Sequence, residues 1–380
     1  MSDKEKTRIH VCLVSAQPIP NLIPLRMEEL RPEKVILLVS PDMKVQAERL
    51  EKVIKGWAIK VEKVPIAAYV LESARKTCMH ILSQNDNAEI ILNATGGTKI
   101  MAFAAFEVFR EWERKIIYVD TQNIRIDVLS PAISEIEFNS KMKIGPYLAS
   151  YGQYIISETA HSEINPTYSA VSDKLIKNAG NLEKGLSILN RIASGYKDIR
   201  TFPFAANVGY DDLKDEQFHD VIIIFSDSGI LGFDGNAVTF PELSSVEFAS
   251  GGWLEEYVYR TVSSLNPTDV KMNVKISWDI KKRRPDNEYD VVFTLNNRLY
   301  LIECKTKRFQ GKDVERAGEE SIYKLDNLRD AAGGLFGKGM LVSYRRLTEA
   351  QKRRLRANRL EFCDVSDIKN LSERLKQWIK

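Results

Sequence analysis

The chain has 380 residues, more than one hydrophobic core usually organises, so two or three domains are expected. Hydrophobic residues make up 44% and charged residues 28% of the sequence, which excludes a disordered or fibrous protein. The 55 basic residues nearly balance the 52 acidic ones, so the net charge of +3 does not by itself indicate a nucleic-acid partner. Any basic surface must therefore be local.

The cysteine pattern and the N-terminus limit the kinds of metal site and location to expect. No C-x-x-C pair is present, so the sequence predicts neither a structural zinc site nor a disulfide framework for Cys12, Cys78, Cys304 and Cys363. The four histidines lack metal-ligand spacing and are expected to be structural. Residues 1–8 are polar, and no apolar run is long enough to span a membrane. We therefore expect a cytoplasmic protein with no membrane partner.

The first third of the chain alternates apolar, β-branched runs with helical patterns. Helices are predicted at about 44–57, 69–85 and 98–112, where apolar residues recur at helical spacing. The predicted strands are nearly continuous apolar runs, as expected when both faces of a sheet are covered: 9–14, 35–40, 61–65, 90–94 and 116–120. This pattern predicts an α/β fold with a doubly wound, Rossmann-like sheet.

The strongest ligand-binding candidate is the segment 93–99, which follows the fourth strand and opens a helix. Its adjacent glycines permit close approach of a ligand, and the helix N-terminus together with Lys99 favours an anion. The spacing of a P-loop is absent. An ordinary strand-to-helix turn that needs glycine for its backbone angles is the alternative. The candidate residues are Asn93, Thr95, Gly96, Gly97, Thr98 and Lys99.

A second candidate loop, residues 15–21, leaves the first strand at the equivalent edge of the sheet. It is polar and stiffened by prolines, and its hydrogen-bonding side chains suit a base or a ribose. Turn-forming residues are also common in a first βα loop, so a purely structural role stays open. The candidate residues are Ser15, Gln17, Pro18 and Asn21.

The middle of the chain breaks the alternation of strands and helices. A helix is predicted at 173–193, a strand at 221–225, and the turns of a small β-ribbon at 226–229 and 234–236. Helices followed by a ribbon suit a small winged-helix-like domain. A connecting domain without DNA contact is the alternative, because no recognition helix can be discerned.

The C-terminal part carries acids and a lysine on neighbouring predicted elements. A helix beginning near Gly251-Gly252 is followed by strands at 271–279, 288–293 and 299–305. Alternation along the last strand puts Glu303 and Lys305 on one face and Cys304 on the other. Asp290, on the preceding hairpin strand, can then converge on Glu303 across the ladder.

This convergence predicts a metal-dependent site. Two carboxylates and a carbonyl form a hard site suited to Mg²⁺ or Mn²⁺, which keep several waters and bind substrate phosphate. Lys305 can orient or deprotonate the attacking water and stabilise developing charge. A Glu-x-Lys pair alone would more simply be a surface ion pair. The run 299–302 is too apolar for an exposed strand, which favours a site on a buried sheet.

Asp290, Glu303, Cys304 and Lys305 resemble the PD-(D/E)xK motif of the restriction-endonuclease-like nucleases, with Tyr289 in place of the proline. The resemblance implies a further acid on the preceding helix, Glu255 with Glu256 as the alternate, and metal binding by Asp290, Glu303 and Glu255. It also implies a polar or basic residue near the scissile phosphate on a later helix, which carries Ser321, Tyr323 and Lys324; a solvated helix face is the alternative.

With this C-terminus, the glycine loop and the 15–21 loop resemble the CRISPR-associated Rossmann-fold (CARF) sensors. The full order of parts resembles the cyclic-oligoadenylate-activated CRISPR ancillary nucleases of type III systems. We therefore expect a CARF domain at 1–145, an intermediate domain at 146–248 and a nuclease domain at 249–380. The resemblance implies cyclic tetra-adenylate bound across a homodimer interface, with metal-dependent cleavage of DNA and, in some members, of single-stranded RNA.

Nucleic acid would be held through its phosphates by local basic groups. The candidates are Lys324 and the basic run before the active strand, which consists of Lys281, Lys282, Arg283 and Arg284. For this run a solvated hairpin is the alternative. A second basic run lies at 352–359. Two other functions remain open: a ligand-responsive DNA-binding regulator, and a constitutive repair or restriction nuclease.

Overall fold

The structure is a computed structural model. It describes residues 6–159, 165–196, 199–279, 281, 284–306 and 314–380, without the side chains of 314–319. Lys282 and Arg283, two of the predicted nucleic-acid contacts, lie outside this range. No helix in the described part of the chain is long and apolar enough to cross a membrane.

The N-terminal part is a seven-stranded sheet with helices on both faces. Its strands are β1 (Arg8–Leu13), β2 (Lys34–Val39), β3 (Lys60–Pro65), β4 (Glu89–Asn93), β5 (Lys115–Asp120), β6 (Arg125–Ser130) and β7 (Ser134–Glu137). The order is β3-β2-β1-β4-β5-β6-β7, in which β1–β5 run parallel and β6 and β7 are antiparallel. The helices are α1 (Ile19–Leu22), α2 (Lys44–Lys55), α3 (Leu71–Gln84) and α4 (Lys99–Glu111). The predicted Rossmann-like sheet is confirmed, since each predicted strand begins within two residues of the observed one.

The middle part combines helices with a three-stranded sheet of order β10-β11-β9. Its elements are α5 (Ile144–Ser150), β8 (Tyr154–Thr159), α6 (Pro166–Lys177), α7 (Glu183–Ser194), β9 (Phe204–Asn207), α8 (Glu216–Ser226), β10 (Gly232–Phe233), β11 (Ala237–Phe240) and α9 (Leu243–Glu247). The succession α7, β9, α8, β10, β11 combines helices with a small antiparallel ribbon, and the winged-helix-like domain stays a prediction. Strand β8 lies within the range predicted for the intermediate domain and adds an edge to the C-terminal sheet.

Two predictions for the middle part were wrong. The run predicted as a strand at 221–225 belongs to α8, because the Asp215 carboxylate caps that helix by accepting from the Phe218 backbone N–H (3.0 Å). The residues that α8 buries include Phe218, Val221 and Phe225, which follow helical spacing. The single helix predicted at 173–193 is divided into α6 and α7, and Gly180 lies between them with a φ of +93°.

The C-terminal part is a mixed sheet of order β16-β15-β14-β13-β12-β8. Its elements are α10 (Trp253–Ser263), β12 (Asp269–Ser277), β13 (Asn287–Leu295), β14 (Arg298–Lys305), α11 (Val314–Gly333), β15 (Lys338–Ser343), α12 (Glu349–Ala357), β16 (Glu361–Cys363) and α13 (Leu371–Trp378). Strands β12, β13 and β14 form an antiparallel meander, and β15 and β16 continue in parallel with β14. This arrangement is consistent with the predicted restriction-endonuclease-like fold.

The hydrophobic core joins the three parts. One cluster fills the space between the N-terminal sheet and α3 and α4. A second combines N-terminal residues such as Leu50 with Leu301 and Leu325 of the C-terminal part. A third combines Phe218 of the middle part with Trp253 and the opposite face of the C-terminal sheet. The C-terminal sheet therefore packs against the N-terminal part on one face and against the middle part on the other.

Candidate active site and ligand site

The hairpin formed by β13 and β14 brings the two predicted catalytic acids together. Val291 pairs with Ile302 in the antiparallel ladder, so Asp290 lies opposite Glu303. The Asp290 Oδ2 atom accepts a hydrogen bond from the Cys304 backbone N–H (2.7 Å). Glu303 is only 3% exposed, so its carboxylate lies on a buried part of the sheet, as the apolar run had indicated.

Two lysines approach the Glu303 carboxylate. The Lys305 ammonium group donates to Glu303 Oε1, and the Nζ atom of Lys324, on α11, lies 3.6 Å from the same oxygen. Burial alone would lower the pKa of Lys305, but the charges of Glu303 and Asp290 outweigh it and raise the pKa. Lys305 is therefore a cation and a hydrogen-bond donor in this arrangement, which favours orienting water over deprotonating it.

Negative charge is concentrated at Asp290. Burial raises the pKa of this carboxyl well above its usual range, and the neighbouring carboxylates of Glu303 and Glu255 raise it further. A strongly shifted carboxyl beside other acids is typical of functional sites. Such a cluster is relieved either by a proton or by a cation.

A glycine turn places Glu255 at this cluster. Gly251 has a φ of +134°, and a Cβ atom there would lie 2.5 Å from the Thr306 Oγ1 atom, just beyond β14. Because only glycine fits this approach, the N-terminus of α10 comes close to the end of the catalytic strand. Glu256 instead is 5% exposed and accepts from the Ser169 Oγ atom of α6 (2.6 Å). The geometry therefore favours Glu255 over Glu256 as the helix acid.

The donor set suits a divalent cation that keeps most of its own water. Among the residues that the structure describes, no three Asp, Glu, His or Cys side chains are grouped tightly enough to hold a metal by themselves. Mg²⁺ and Mn²⁺ do not require this, because one or two carboxylates with waters and substrate phosphate complete their shells. Asp290 and Glu303, with the backbone carbonyl at the strand end, fit that requirement, and the charge concentrated at Asp290 favours a cation there.

The glycine loop at the end of β4 is built by close backbone packing. Thr98 caps α4: its Oγ1 atom accepts from the Met101 N–H (3.2 Å) and donates to the Ala68 carbonyl. Gly97 has a φ of +76°, and a Cβ atom on Gly96 would overlap the Leu13 carbonyl oxygen. The glycines are thus required by the turn itself. Lys99, the first residue of α4, is exposed.

Several predicted ligand residues use their polar atoms inside this loop. The buried Asn93 amide donates to the Pro20 carbonyl (2.9 Å), and its oxygen accepts from the Thr95 hydroxyl (2.6 Å). The Thr95 Oγ1 atom also accepts from the Val119 N–H (2.8 Å). Asn21 is buried and donates to the Leu13 carbonyl (2.9 Å). These side chains shape the loop, and Pro18 is buried at the start of α1.

A cavity of about 210 Å³ lies at the ends of β1 to β4, beside the glycine loop. Three of the predicted ligand residues, Ser15, Gly97 and Thr98, line it, while Gln17 and Lys99 do not. Sequence reasoning missed further lining residues from the ends of β2 and β3: Ser40, Asp42, Met43, Ala68 and Tyr69. The parallel order of the strands could have indicated them, because the carboxyl ends of neighbouring parallel strands meet at one edge.

Gln17 lies at a contact between the N-terminal and the C-terminal part. Its Oε1 atom accepts from the Tyr151 hydroxyl (3.1 Å) and from the Leu335 backbone N–H (3.3 Å). Leu335 follows α11, the helix that carries Lys324. The side chain predicted to contact a ligand is therefore used between domains.

Basic groups lie on elements next to the candidate active site. Lys281 and Arg284 are exposed before β13. On α11, the half-exposed Tyr323 ring lies 5.1 Å from the Arg354 guanidinium of α12. In the middle part, α8 exposes Glu216 and Asp220, and Asp227 is exposed directly after its C-terminal end. Such a face would repel phosphate, so α8 is unsuited to reading DNA.

Family models match both ends of the chain. Residues 9–147 match the Card1 CARF domain, and residues 243–380 match the Card1-like endonuclease domain. No curated protein sequence matches the chain.

Solved structures that are similar to the chain include the following three. Protein VC1899 from Vibrio cholerae is 24% identical with a TM-score of 0.88, and the alignment covers 98% of this chain and 97% of that one. Can2 from Sulfobacillus thermosulfidooxidans, in complex with cyclic tetra-adenylate, is 29% identical with a TM-score of 0.80, covering 98% and 99%. A type III CRISPR defence DNA nuclease activated by cyclic oligoadenylate is 18% identical with a TM-score of 0.59, covering 90% and 46%. VC1899 and the DNA nuclease, the two less identical structures, support the fold alone. The two family models together match more than half of the chain, which therefore belongs to the Card1-like nucleases, in which a CARF domain is joined to an endonuclease domain.

Proposed function

We propose that this nuclease is activated by cyclic tetra-adenylate and cleaves DNA in a reaction that needs Mg²⁺ or Mn²⁺, with single-stranded RNA as a second substrate, in type III CRISPR antiviral defence. The observation that carries the proposal is the convergence of Asp290, Glu303 and Lys305 at one strand end, in a chain whose other end is a CARF domain. The similarity over 98% of the chain to Can2, solved with cyclic tetra-adenylate, supports the choice of activator.

In the proposed reaction, Asp290 and Glu303 would hold the cation, with Glu255 as the third acid. When bound, the cation supplies positive charge to the scissile phosphate and acidifies an attacking water. Lys305 donates a hydrogen bond that orients this water, and its charge stabilises the phosphorane as it forms. Lys324, 3.6 Å from Glu303 Oε1, is placed to contact a non-bridging phosphate oxygen once substrate competes for its charge.

The activator would bind at the cavity beside the glycine loop, where Thr98 and the N-terminus of α4 offer backbone N–H groups to a phosphate and Lys99 adds charge. A ring of four phosphates on a two-fold axis would meet two such helix ends. We therefore propose a homodimer. An exposed apolar group beside the cavity supports this placement, and it consists of Tyr69, Val70, Leu71 and Phe103.

The substrate would lie over the basic groups around Glu303: Lys324 on α11, the Tyr323–Arg354 pair, and Lys281 with Arg284 before β13. The acidic α8 argues against the alternative of a DNA-binding regulator that uses the middle part. The alternative of a constitutive nuclease makes a different prediction, because its cleavage rate would not change when activator is added.

One assay tests these points together. Labelled single- and double-stranded DNA and RNA are incubated with Mn²⁺ or EDTA, with and without cyclic tri-, tetra- and hexa-adenylate. We expect cleavage only with metal and strong stimulation only by the tetra-adenylate. Glu303→Ala and Lys305→Ala should abolish cleavage yet bind the activator as the wild type does. Equal cleavage rates with and without activator would instead favour a constitutive nuclease.

A further inference from the structure

The loop after β1 joins the sensor cavity to a residue that contacts the nuclease. Ser15 lines the cavity, and its Oγ atom accepts from the Gln17 backbone N–H (3.3 Å). The same hydroxyl lies 3.3 Å from the Gln17 carbonyl oxygen. Because these bonds span two residues, a displacement of Ser15 is passed directly to Gln17.

The side chains of Gln17 and Tyr151 both contact the C-terminal end of α11. The Gln17 Oε1 atom accepts from both the Tyr151 hydroxyl and the Leu335 N–H, at 3.1 and 3.3 Å. The Tyr151 hydroxyl also lies 3.2 Å from the carbonyl oxygen of Gly333, the last residue of α11. Burial raises the pKa of Tyr151, so its hydroxyl keeps its proton. With one proton and two acceptors, the hydroxyl bonds fully to either Gln17 or Gly333.

The backbone at Gly334 packs tightly against the Gln17 and Tyr151 side chains. Gly334 has a φ of +52°, and a Cβ atom there would overlap the Gln17 amide oxygen and lie 2.8 Å from the Tyr151 hydroxyl. Glycine at this position therefore lets the end of α11 meet the sensor loop without a gap. Tyr151 itself is held by stacking on Tyr147, with ring centroids 5.8 Å apart.

Helix α11 carries the contact to the active site. Lys324 lies nine residues before Gly333, about 14 Å along a helix, and its Nζ atom is 3.6 Å from Glu303 Oε1. Its neighbours Ile322 and Leu325 are buried in the cluster shared with the N-terminal part. A packed helix moves as a unit, so a shift at Gly333 changes the place of Lys324.

Other polar contacts between the two parts lie elsewhere. The Arg298 guanidinium donates to the carbonyls of Thr121 and Gln122 (3.1 and 2.9 Å), and Asn297 accepts from the Met142 N–H (2.8 Å). Asn297 lies in the β13–β14 turn and Arg298 begins β14, at the opposite end of the hairpin from Glu303. These contacts fix the parts together, whereas the Gln17 contact joins the cavity loop to α11.

We propose that Gln17 and Tyr151 are positioning residues that set the C-terminal end of α11 according to the state of the sensor loop, and thereby the place of Lys324 at Glu303. This inference rests on the proposed activation by cyclic tetra-adenylate. Neither side chain touches the reacting atoms. Their effect is on the difference between the stimulated and the unstimulated enzyme.

The test uses full-length variants. Tyr151→Phe removes only the hydroxyl, Gln17→Leu removes the amide, and Gln17→Glu keeps an acceptor oxygen. Arg298→Ala is the control, since it removes two hydrogen bonds between the same parts. For each variant the stimulated and basal cleavage rates, the Kd for cyclic tetra-adenylate, and hydrogen exchange across 320–337 are measured.

We expect Tyr151→Phe and Gln17→Leu to lower the ratio of stimulated to basal rate by about fivefold, the contribution of one neutral hydrogen bond. The Kd of Tyr151→Phe should stay within about twofold of wild type, while Gln17→Glu and Arg298→Ala keep the ratio. An unchanged ratio in the two loss variants overturns the inference. So does a loss of equal size in Arg298→Ala, which would reduce the effect to general stability.

Hydrogen exchange separates failure of the inference from failure of the proposed function. If cyclic tetra-adenylate does not stimulate even the wild type, the proposed activation fails. Exchange without activator then decides the positioning role. If exchange across 320–337 is faster in Tyr151→Phe and Gln17→Leu, but not in Gln17→Glu, the contact positions the end of α11 as proposed. Equal exchange in all variants overturns the positioning role.

Discussion

Glu255 and Glu256 are consecutive residues of α10, yet their carboxylates act on different partners. The charge of Glu255 acts on Asp290 in the nuclease site, whereas Glu256 accepts from Ser169 of α6 and lies 3.4 Å from the Arg260 Nε atom. Burial raises the pKa of Glu256, so its ionised form gains little from this position. One helix therefore offers one acid to the nuclease site and another to the middle part.

The first prediction separates these two acids. Glu255→Gln should lower the cleavage rate at saturating Mn²⁺ by about 10²-fold, because the site loses one negative charge that favours the cation. Glu256→Gln keeps the shape and a hydrogen-bond acceptor for Ser169, so it should cleave within about threefold of wild type. The cleavage rates of both variants are measured, and their melting temperatures are measured as well to exclude a difference in stability. The reverse pattern would make Glu256 the active-site acid.

The second prediction concerns the glycine turn before α10. In Gly251→Ala the new Cβ atom would lie 2.5 Å from Thr306 Oγ1 on a backbone with a φ of +134°. We expect a loss of about 2 kcal/mol in the free energy of unfolding, together with slower cleavage because Glu255 is displaced. Gly145→Ala, where the added Cβ meets open space, is the control and should not destabilise. Denaturant unfolding measures both, and equal stability of the two variants would contradict the prediction.

The third prediction is a pH dependence of metal binding. The pKa of Asp290 is raised by burial and by Glu303 and Glu255, so protons compete with the cation at higher pH than for an ordinary carboxyl. Mn²⁺ affinity should therefore fall as the pH is lowered through the raised pKa of Asp290, with more protons released on binding at the lower pH. Calorimetry in two buffers of different ionisation enthalpy counts the protons. Asp290→Asn should flatten the dependence, and a flat wild-type profile would contradict it.

Most of what could be predicted from the sequence followed from the spacing of residues within single elements. Glu303 and Lys305 share a strand, so alternation alone puts them on one face, and four of the five parallel strands follow from apolar runs bounded by turns, the exception being the largely exposed edge strand β3. Glu255 and Glu256 could not be separated, because the rotation of α10 is fixed by Gly251 against Thr306. Residues 221–225 were predicted as a strand because a short β-branched run suits either element, and the Asp215 cap decided it.

The contact of Gln17 was beyond local pattern altogether. Its partner Leu335 lies 318 positions along the chain, and nothing near Gln17 indicates which distant surface it meets. A polar loop residue at a sheet edge was assigned to a ligand for this reason. Ser40 and Asp42 are a different case, because they line the cavity where β2 ends beside β1, and the parallel order of the strands could have indicated them.

The fourth prediction tests the proposed homodimer. Phe103 is 65% exposed on α4 and belongs to the apolar group beside the cavity. Phe103→Glu should therefore shift the protein from dimer to monomer in light scattering at micromolar concentration and weaken activator binding, since a charge would be buried against the second copy. Ile133→Glu is the matched control, because Ile133 is 88% exposed between β6 and β7. A wild-type monomer, or dimers of Phe103→Glu, would contradict this placement.

The fifth prediction concerns Tyr323 beside the site. Its ring is 49% exposed, is backed by Arg354 at 5.1 Å, and precedes Lys324 on α11, so it offers a face on which an unpaired base can stack. Tyr323→Ala should raise KM for single-stranded substrates by about tenfold, the effect of losing one stacked base, while Tyr323→Trp keeps it. Paired bases cannot stack there, so KM for duplex should change little.

Tyr210 provides the control for this prediction. It is 75% exposed and has its own cation, the Lys214 ammonium at 3.9 Å, but it belongs to the middle part, beside the acidic α8. Tyr210→Ala removes the same ring from a comparable pair and should leave both values of KM unchanged. If Tyr323→Ala raises KM for duplex and single strands alike, Tyr323 acts by supporting Arg354 and its contact with phosphates, and the ring does not select unpaired bases.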